Sequence, residues 1–97
     1  IDRKEHRKAN AAERARLAEL KKPLMQQLGR LEKKMSELQN LLNSLNTQIA
    51  DPKLYETADG AKIAQLSQEQ AYTARELSNL ENQWLQVQEQ LDAIVAQ

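Results

Sequence analysis

The sequence predicts an all-α fold, a two-helix antiparallel coiled-coil hairpin with an N-terminal helical overhang. Three observations carry this. A first apolar stripe, Leu24, Leu28, Leu31, Met35, Leu38, Leu42, Leu45 and Ile49, advances by alternating steps of four and three. A second, Ile63, Leu66, Gln70, Thr73, Leu77, Leu80, Trp84, Val87, Leu91 and Ile94, keeps the same alternation, starting on a three. Such a seven-residue repeat is the seam of a coiled-coil helix. The third observation is the shortness of the connector, which buries both stripes most simply by folding the second helix back on the first.

Composition agrees. Apolar residues make up 40% of the 97, almost wholly as Leu and Ala, with no Phe and 3% aromatic residues, which suits a narrow seam better than a globular core. The charged fraction of 29%, with two Gly and two Pro, fits helices whose outer faces meet water nearly all round. No apolar run nears the roughly 18 residues that span a bilayer, and no signal-peptide pattern is present, so no membrane role is expected. The absence of Cys removes disulfides and thiolate chemistry and is in keeping with a cytoplasmic location. A first residue of Ile rather than Met leads us to expect a piece of a longer protein.

Residues 1–16 form the expected basic helical arm and residues 17–97 the hairpin, with helix one reaching about residue 50. Pro23 and Gly29 weaken helix one, the former by lacking a donor and the latter by about 1 kcal/mol relative to Ala. A kink or short break at Pro23 is expected, the alternative being that Pro23 opens a new helix. The connector spans 51–60. Asp51 caps a single turn over Pro52 to Tyr55 that stops helix one, and Leu54 and Tyr55 are expected to cover Ile49 and Ile63. Helix two, capped by Thr57 or Asp59, is expected over about 58–96. A turn centred near residue 56 pairs residues whose numbers sum to about 112. This sets Leu42 by Gln70, Leu28 by Trp84 and Gln97 by Ala15. It leaves residues 1–14 unpaired, and the gap at Gly29 is expected to admit the Trp84 indole.

Two arrangements suit Gln70 and Thr73: a polar core layer that fixes register, or a local shift of the seam to Ala74. Trp84 reads as filler of a widened seam or as a partner-binding patch.

No catalytic constellation is present, so this chain is not expected to be an enzyme. His6 is the only His, in the unpaired arm, and the two Gly lie far apart, which excludes a glycine-rich phosphate loop. The net charge of zero hides an asymmetry: residues 1–22 hold eight Lys or Arg against four acids, and the remainder six against ten. Arg3, Lys4, Arg7, Lys8, Arg14, Arg16, Lys21 and Lys22 lie along roughly 30 Å of helix, a length suited to following a nucleic-acid backbone. Arg30, Lys33 and Lys34 extend them beyond Pro23. The other reading is a solvated linker held by pairs such as Glu13 with Arg16 or Lys8. Without interleaved aromatics there is no platform for stacking single strands, so binding would be backbone-directed and salt-sensitive.

The stretch Leu17 to Ala93 resembles the C-terminal coiled-coil domain of bacterial ABC-F ATPases, the Uup-like and YheS-like proteins. The likeness rests on Asp51-Pro52-Lys53-Leu54-Tyr55, where the family tip commonly reads Asp-Pro-Glu-Leu-Tyr, and on Leu80-Glu81-Asn82-Gln83-Trp84-Leu85, where it has Leu-Glu-x-x-Trp-Leu. The resemblance implies a cytoplasmic parent with two ATP-binding cassettes, to which ATP and Mg would belong, and no cofactor in this chain. It implies action on ribosomes and translation, or on DNA, with DNA or ribosomal RNA and the parent's cassettes as partners. Asp51, Pro52, Leu54, Tyr55 and Trp84 carry over as architectural residues, and no nucleotide-binding motif does. A structural or protein-interaction hairpin is the alternative, with self-association through exposed leucines such as Leu20, Leu41 and Leu85. The tRNA-binding arm of seryl-tRNA synthetase shares the hairpin but not the tip.

Overall fold

The computed structural model describes residues 2–95. Helix α1 runs Arg3–Ala50, a short α2 runs Pro52–Thr57 and α3 runs Gly60–Val95. They form a rod of 81 × 16 × 15 Å, with α3 packed back along α1.

Each helix end has a local cause. The Asp2 side chain caps α1 by accepting from the Lys4 amide at 3.0 Å, and Glu5 places a negative charge in the first turn. At the other end the Asp51 amide donates to the Gln48 carbonyl (3.3 Å). Asp51 then accepts from the Lys53 amide (3.0 Å) and so caps α2, with Pro52 in its first turn. Of the two expected caps for the second long helix, Asp59 serves, accepting from the Lys62 amide at 2.9 Å. The Thr57 hydroxyl instead donates to the Lys53 carbonyl (2.9 Å). The connector helix thus continues two residues past Tyr55, and α3 starts at Gly60 rather than at 58. The expected residue 96 of helix two, and Gln97 set against Ala15, lie outside the described residues.

The seam falls where the repeat puts it. With Leu28 and Ile63 written as heptad position a, every a and d residue from Leu17 to Ile49 and from Ile63 to Ile94 is buried or half-buried. Leu31, Leu45, Leu66, Leu77, Val87 and Leu91 are the buried apolar members. Burying a leucine fully contributes about 2 kcal/mol, and two helices cover each other on one side only, so the hairpin draws its stability from many partial burials.

Four expectations need correction. Helix α1 passes through Pro23 without a break, and Pro23 does not open a new helix. The proline lies on the exposed side, where water can satisfy the carbonyl one turn back, and neighbouring turns hold the helix. The seam does not shift to Ala74, which is exposed. Thr73 is buried at 3% exposure, and Gln70 donates to the Asn46 side chain at 2.6 Å, forming the polar layer. Tyr55 does not cover the seam end: it is 55% exposed, and its hydroxyl donates to the Ile49 carbonyl at 2.7 Å. That carbonyl is one of the four that a helix end leaves without partners, so the tyrosine finishes α1 while Leu54 is half-buried. Finally, the Trp84 indole does not occupy the space at Gly29, which is open: a Cβ built there meets nothing within 4 Å.

The register differs slightly from expectation. Trp84 donates from its indole to the Glu32 carboxylate (3.0 Å), one turn from Leu28 towards the connector. Asn46 with Gln70 and Glu32 with Trp84 have the same sum, about 116 rather than 112. Side chains lean towards their own helix N-terminus, so in an antiparallel pair those that meet sum about two above residues at the same level. The later start of α3 supplies the remainder.

Candidate nucleic-acid interface

Beyond the level of α3's end, α1 continues alone. All of residues 2–16 are exposed, and Leu17 is the first half-buried side chain. Val95 stands level with about residue 19, taking the lean into account.

The arm's charges are segregated around the helix. Arg3 takes seam position d, and Arg7, Arg14 and Lys21 take a. Lys4 is at e, and Lys8 and Lys22 are at b. At about 100° per residue these seven cations fall within a sector of roughly 140°. Among Arg3–Lys22, the acids Glu5, Glu13 and Glu19 take f and g, outside that sector, and the only cation with them is Arg16 at c. Arg16 is bound to Glu13 at 2.7 Å, the only ion pair among the described residues. Its hydrogen bond to Glu13 holds that carboxyl below the ordinary glutamate value, and the guanidinium is raised in turn. Both groups are solvent-exposed, so the pair adds little to stability. The salt-bridged linker reading thus applies to Arg16 alone.

Among the described residues, none of the seven cations on the a, b, d and e side has a carboxylate within ion-pair distance. They continue the face that α3 covers further along, and beyond α3 that face has no apolar cover to seek. Lys21, half-buried at the seam, comes level with the last turn of α3, which holds no basic residue of its own. The fold does not place Arg30, Lys33 and Lys34 with these seven. They are exposed at c, f and g, the side that carries the acids in the arm.

The arrangement suits a polyanion. Long flexible cations in two rows on one face can each reach a phosphate and release its counterions, with no group aimed to read a base. His6 is exposed, and among the described residues no cluster of His, Cys, Asp or Glu has the arrangement of a metal site. No described helix is long and apolar enough to cross a membrane.

The architectural residues gather at two places. Asp51, Pro52, Leu54 and Tyr55 close the tip, and Trp84 ties the helices together through Glu32. Sequence reasoning missed Tyr72, which is 60% exposed beside Leu41 and Thr73. A large aromatic outside the seam next to a short seam residue was the available signal.

No curated protein and no solved structure matches this chain significantly. The family comparison does match, over residues 8–89, which include the tip, Trp84 and most of both long helices. The hairpin is therefore an accessory domain of an ABC protein, and the chain belongs to the ABC transporter C-terminal domain family.

Proposed function

We propose that this chain is the non-catalytic, nucleic-acid-binding C-terminal domain of a cytoplasmic ABC-F ATPase of the Uup-like or YheS-like kind. The carrying observation is the sector of seven cations, Arg3, Lys4, Arg7, Lys8, Arg14, Lys21 and Lys22, free of acids on the overhanging arm. The tip motif and Trp84 favour the ABC-F subtype by resemblance. In this reading the arm leads from the parent's second cassette, and the hairpin holds it at a fixed angle to the ATP-driven part. The ligand is a duplex segment of DNA or ribosomal RNA, since the arm carries no Phe, Tyr or Trp, and the lone imidazole of His6 makes no platform for stacking successive single-stranded bases.

Fluorescence anisotropy against duplex DNA and an RNA hairpin tests this. If all seven cations engage phosphates, the log–log salt slope on B-form DNA is about −6. Reversing Arg7, Lys8 and Arg14 to Glu should lower that slope by about 3 and remove binding at physiological salt. Reversing Arg16, on the far side, should change either quantity little. Unchanged affinity and slope in the triple variant would sink the proposal.

A further inference from the structure

The cationic sector of the arm is itself ordered. Around the helix, Arg3, Arg7, Arg14 and Lys21 form one row, and Lys4, Lys8 and Lys22 form a second about 100° from it. The midline between the rows carries Ala11 and Ala18, both exposed, and Ala15 stands in the second row between Lys8 and Lys22. From Lys8 to Lys21, therefore, nothing larger than a methyl group projects between the two lines of charge.

The rows have a definite separation. Lysine and arginine tips stand about 8 Å from the helix axis, so rows separated by that angle lie about 12 Å from each other. The minor groove of B-DNA is about 6 Å wide, which sets the phosphorus atoms along its two edges about 12 Å apart. Across the major groove, itself about 12 Å wide, they are about 18 Å apart. A-form RNA reverses the two grooves: its minor groove is wide and its major groove narrow and deep. The alanine midline lets the arm settle over the mouth of a groove, so that both rows reach their strands together.

The end of α3 supports the same placement. The overhang from Arg3 to Leu17 is about 21 Å long, and α3 blocks the seam side beyond it. A duplex laid lengthwise on the cationic face would run into α3. A groove runs obliquely to the duplex axis, so an arm that follows it lies across the duplex instead.

We infer that the arm straddles the minor groove of a B-form duplex. The row of Arg3, Arg7, Arg14 and Lys21 lies on one strand, the row of Lys4, Lys8 and Lys22 on the other, and Ala11 and Ala18 over the groove between them. This rests on the nucleic-acid reading proposed above and narrows it to one duplex form and one groove.

Fluorescence anisotropy on short duplexes of one sequence with a central A·T tract tests it, with circular dichroism reporting the helix content of each variant. DNA should bind at least about fivefold more tightly than RNA of the same sequence at equal salt. Netropsin, a cation that fills the minor groove, should weaken binding to DNA at least about tenfold, and methyl green, a cation that occupies the major groove, should change it less than about twofold. Ala11→Leu, which adds bulk on the midline and keeps a strong helix former, should weaken binding at least about threefold, whereas Ala9→Leu, roughly 170° from the midline, should leave it unchanged. Equal affinity for DNA and RNA, displacement by methyl green rather than netropsin, or equal binding by the two leucine variants would overturn the straddled groove and leave duplex binding by the arm in place. Absence of binding to either duplex would remove both.

Discussion

Replacing Gly29 by Ala should stabilise the hairpin, and the result bears directly on its register. Gly29 lies inside α1 at an exposed position, and an added Cβ meets nothing within 4 Å. The substitution therefore carries no packing cost. It gains the intrinsic helix preference of alanine, about 1 kcal/mol, through the smaller backbone entropy lost on folding. For a chain of this length that corresponds to a rise in Tm of about 4–8 °C. Urea denaturation followed by circular dichroism at 222 nm, with thermal melts alongside, reads both quantities. Gly60→Ala, at the first position of α3 and equally open, serves as a comparison with a smaller gain, since a terminal residue contributes less than an interior one. Destabilisation by Gly29→Ala would refute the reasoning. It would mean that the Trp84 indole occupies the space beside Gly29, as pairing by a sum of 112 requires, rather than reaching Glu32.

Tyr55→Phe removes the hydroxyl that satisfies the Ile49 carbonyl and should cost about 0.5–1 kcal/mol by chemical denaturation, the low end of the range because water can replace an exposed partner. An unchanged midpoint would show that the tip tyrosine does not serve as a helix terminator. In a carboxyl NMR titration, Glu13 should ionise below the ordinary glutamate value, and Arg16→Gln should return it towards that value. The sign follows from the lowered folded pKa: whatever small stability the pair gives is present above the unfolded value and is lost as the pH falls through the folded one. A Glu13 titration that ignores the Arg16 substitution would contradict the ion pair.

The seam was legible in the sequence because a two-helix coiled coil has one buried line per helix, and a period of 3.5 fixes that line without knowledge of the partner. Leu17 through Ile49 and Ile63 through Ile94 are accordingly the covered residues. The polar positions were harder. Gln70 and Thr73 suited both a core layer and a seam shift, and only the placement of Asn46 across from Gln70 decided between them. Tyr55 looked like apolar cover because composition records its ring and not the direction of its hydroxyl. The cationic site was legible as a run of residues. Its division into seven cations on one face and Arg16, Arg30, Lys33 and Lys34 on another emerged once α1 proved continuous through Pro23, since a break there would have reset the phase of the helix.

The sequence by itself therefore determined the local and periodic features: two long helices, the cap at Asp51 that opens the connector turn, the buried stripes and the excess of basic charge before Pro23. These depend on interactions within a few residues along the chain, or on a repeat that any coiled-coil partner would read alike. Only the tertiary structure decided which residues meet across the hairpin, that Trp84 is tied to Glu32 and Gln70 to Asn46, and that Thr73 leaves a groove between Leu41 and Tyr72. The physical reason is that a heptad seam sets the face of each helix but not how far one helix lies along the other. That axial position is fixed by the connector's three-dimensional path and by which way the side chains lean.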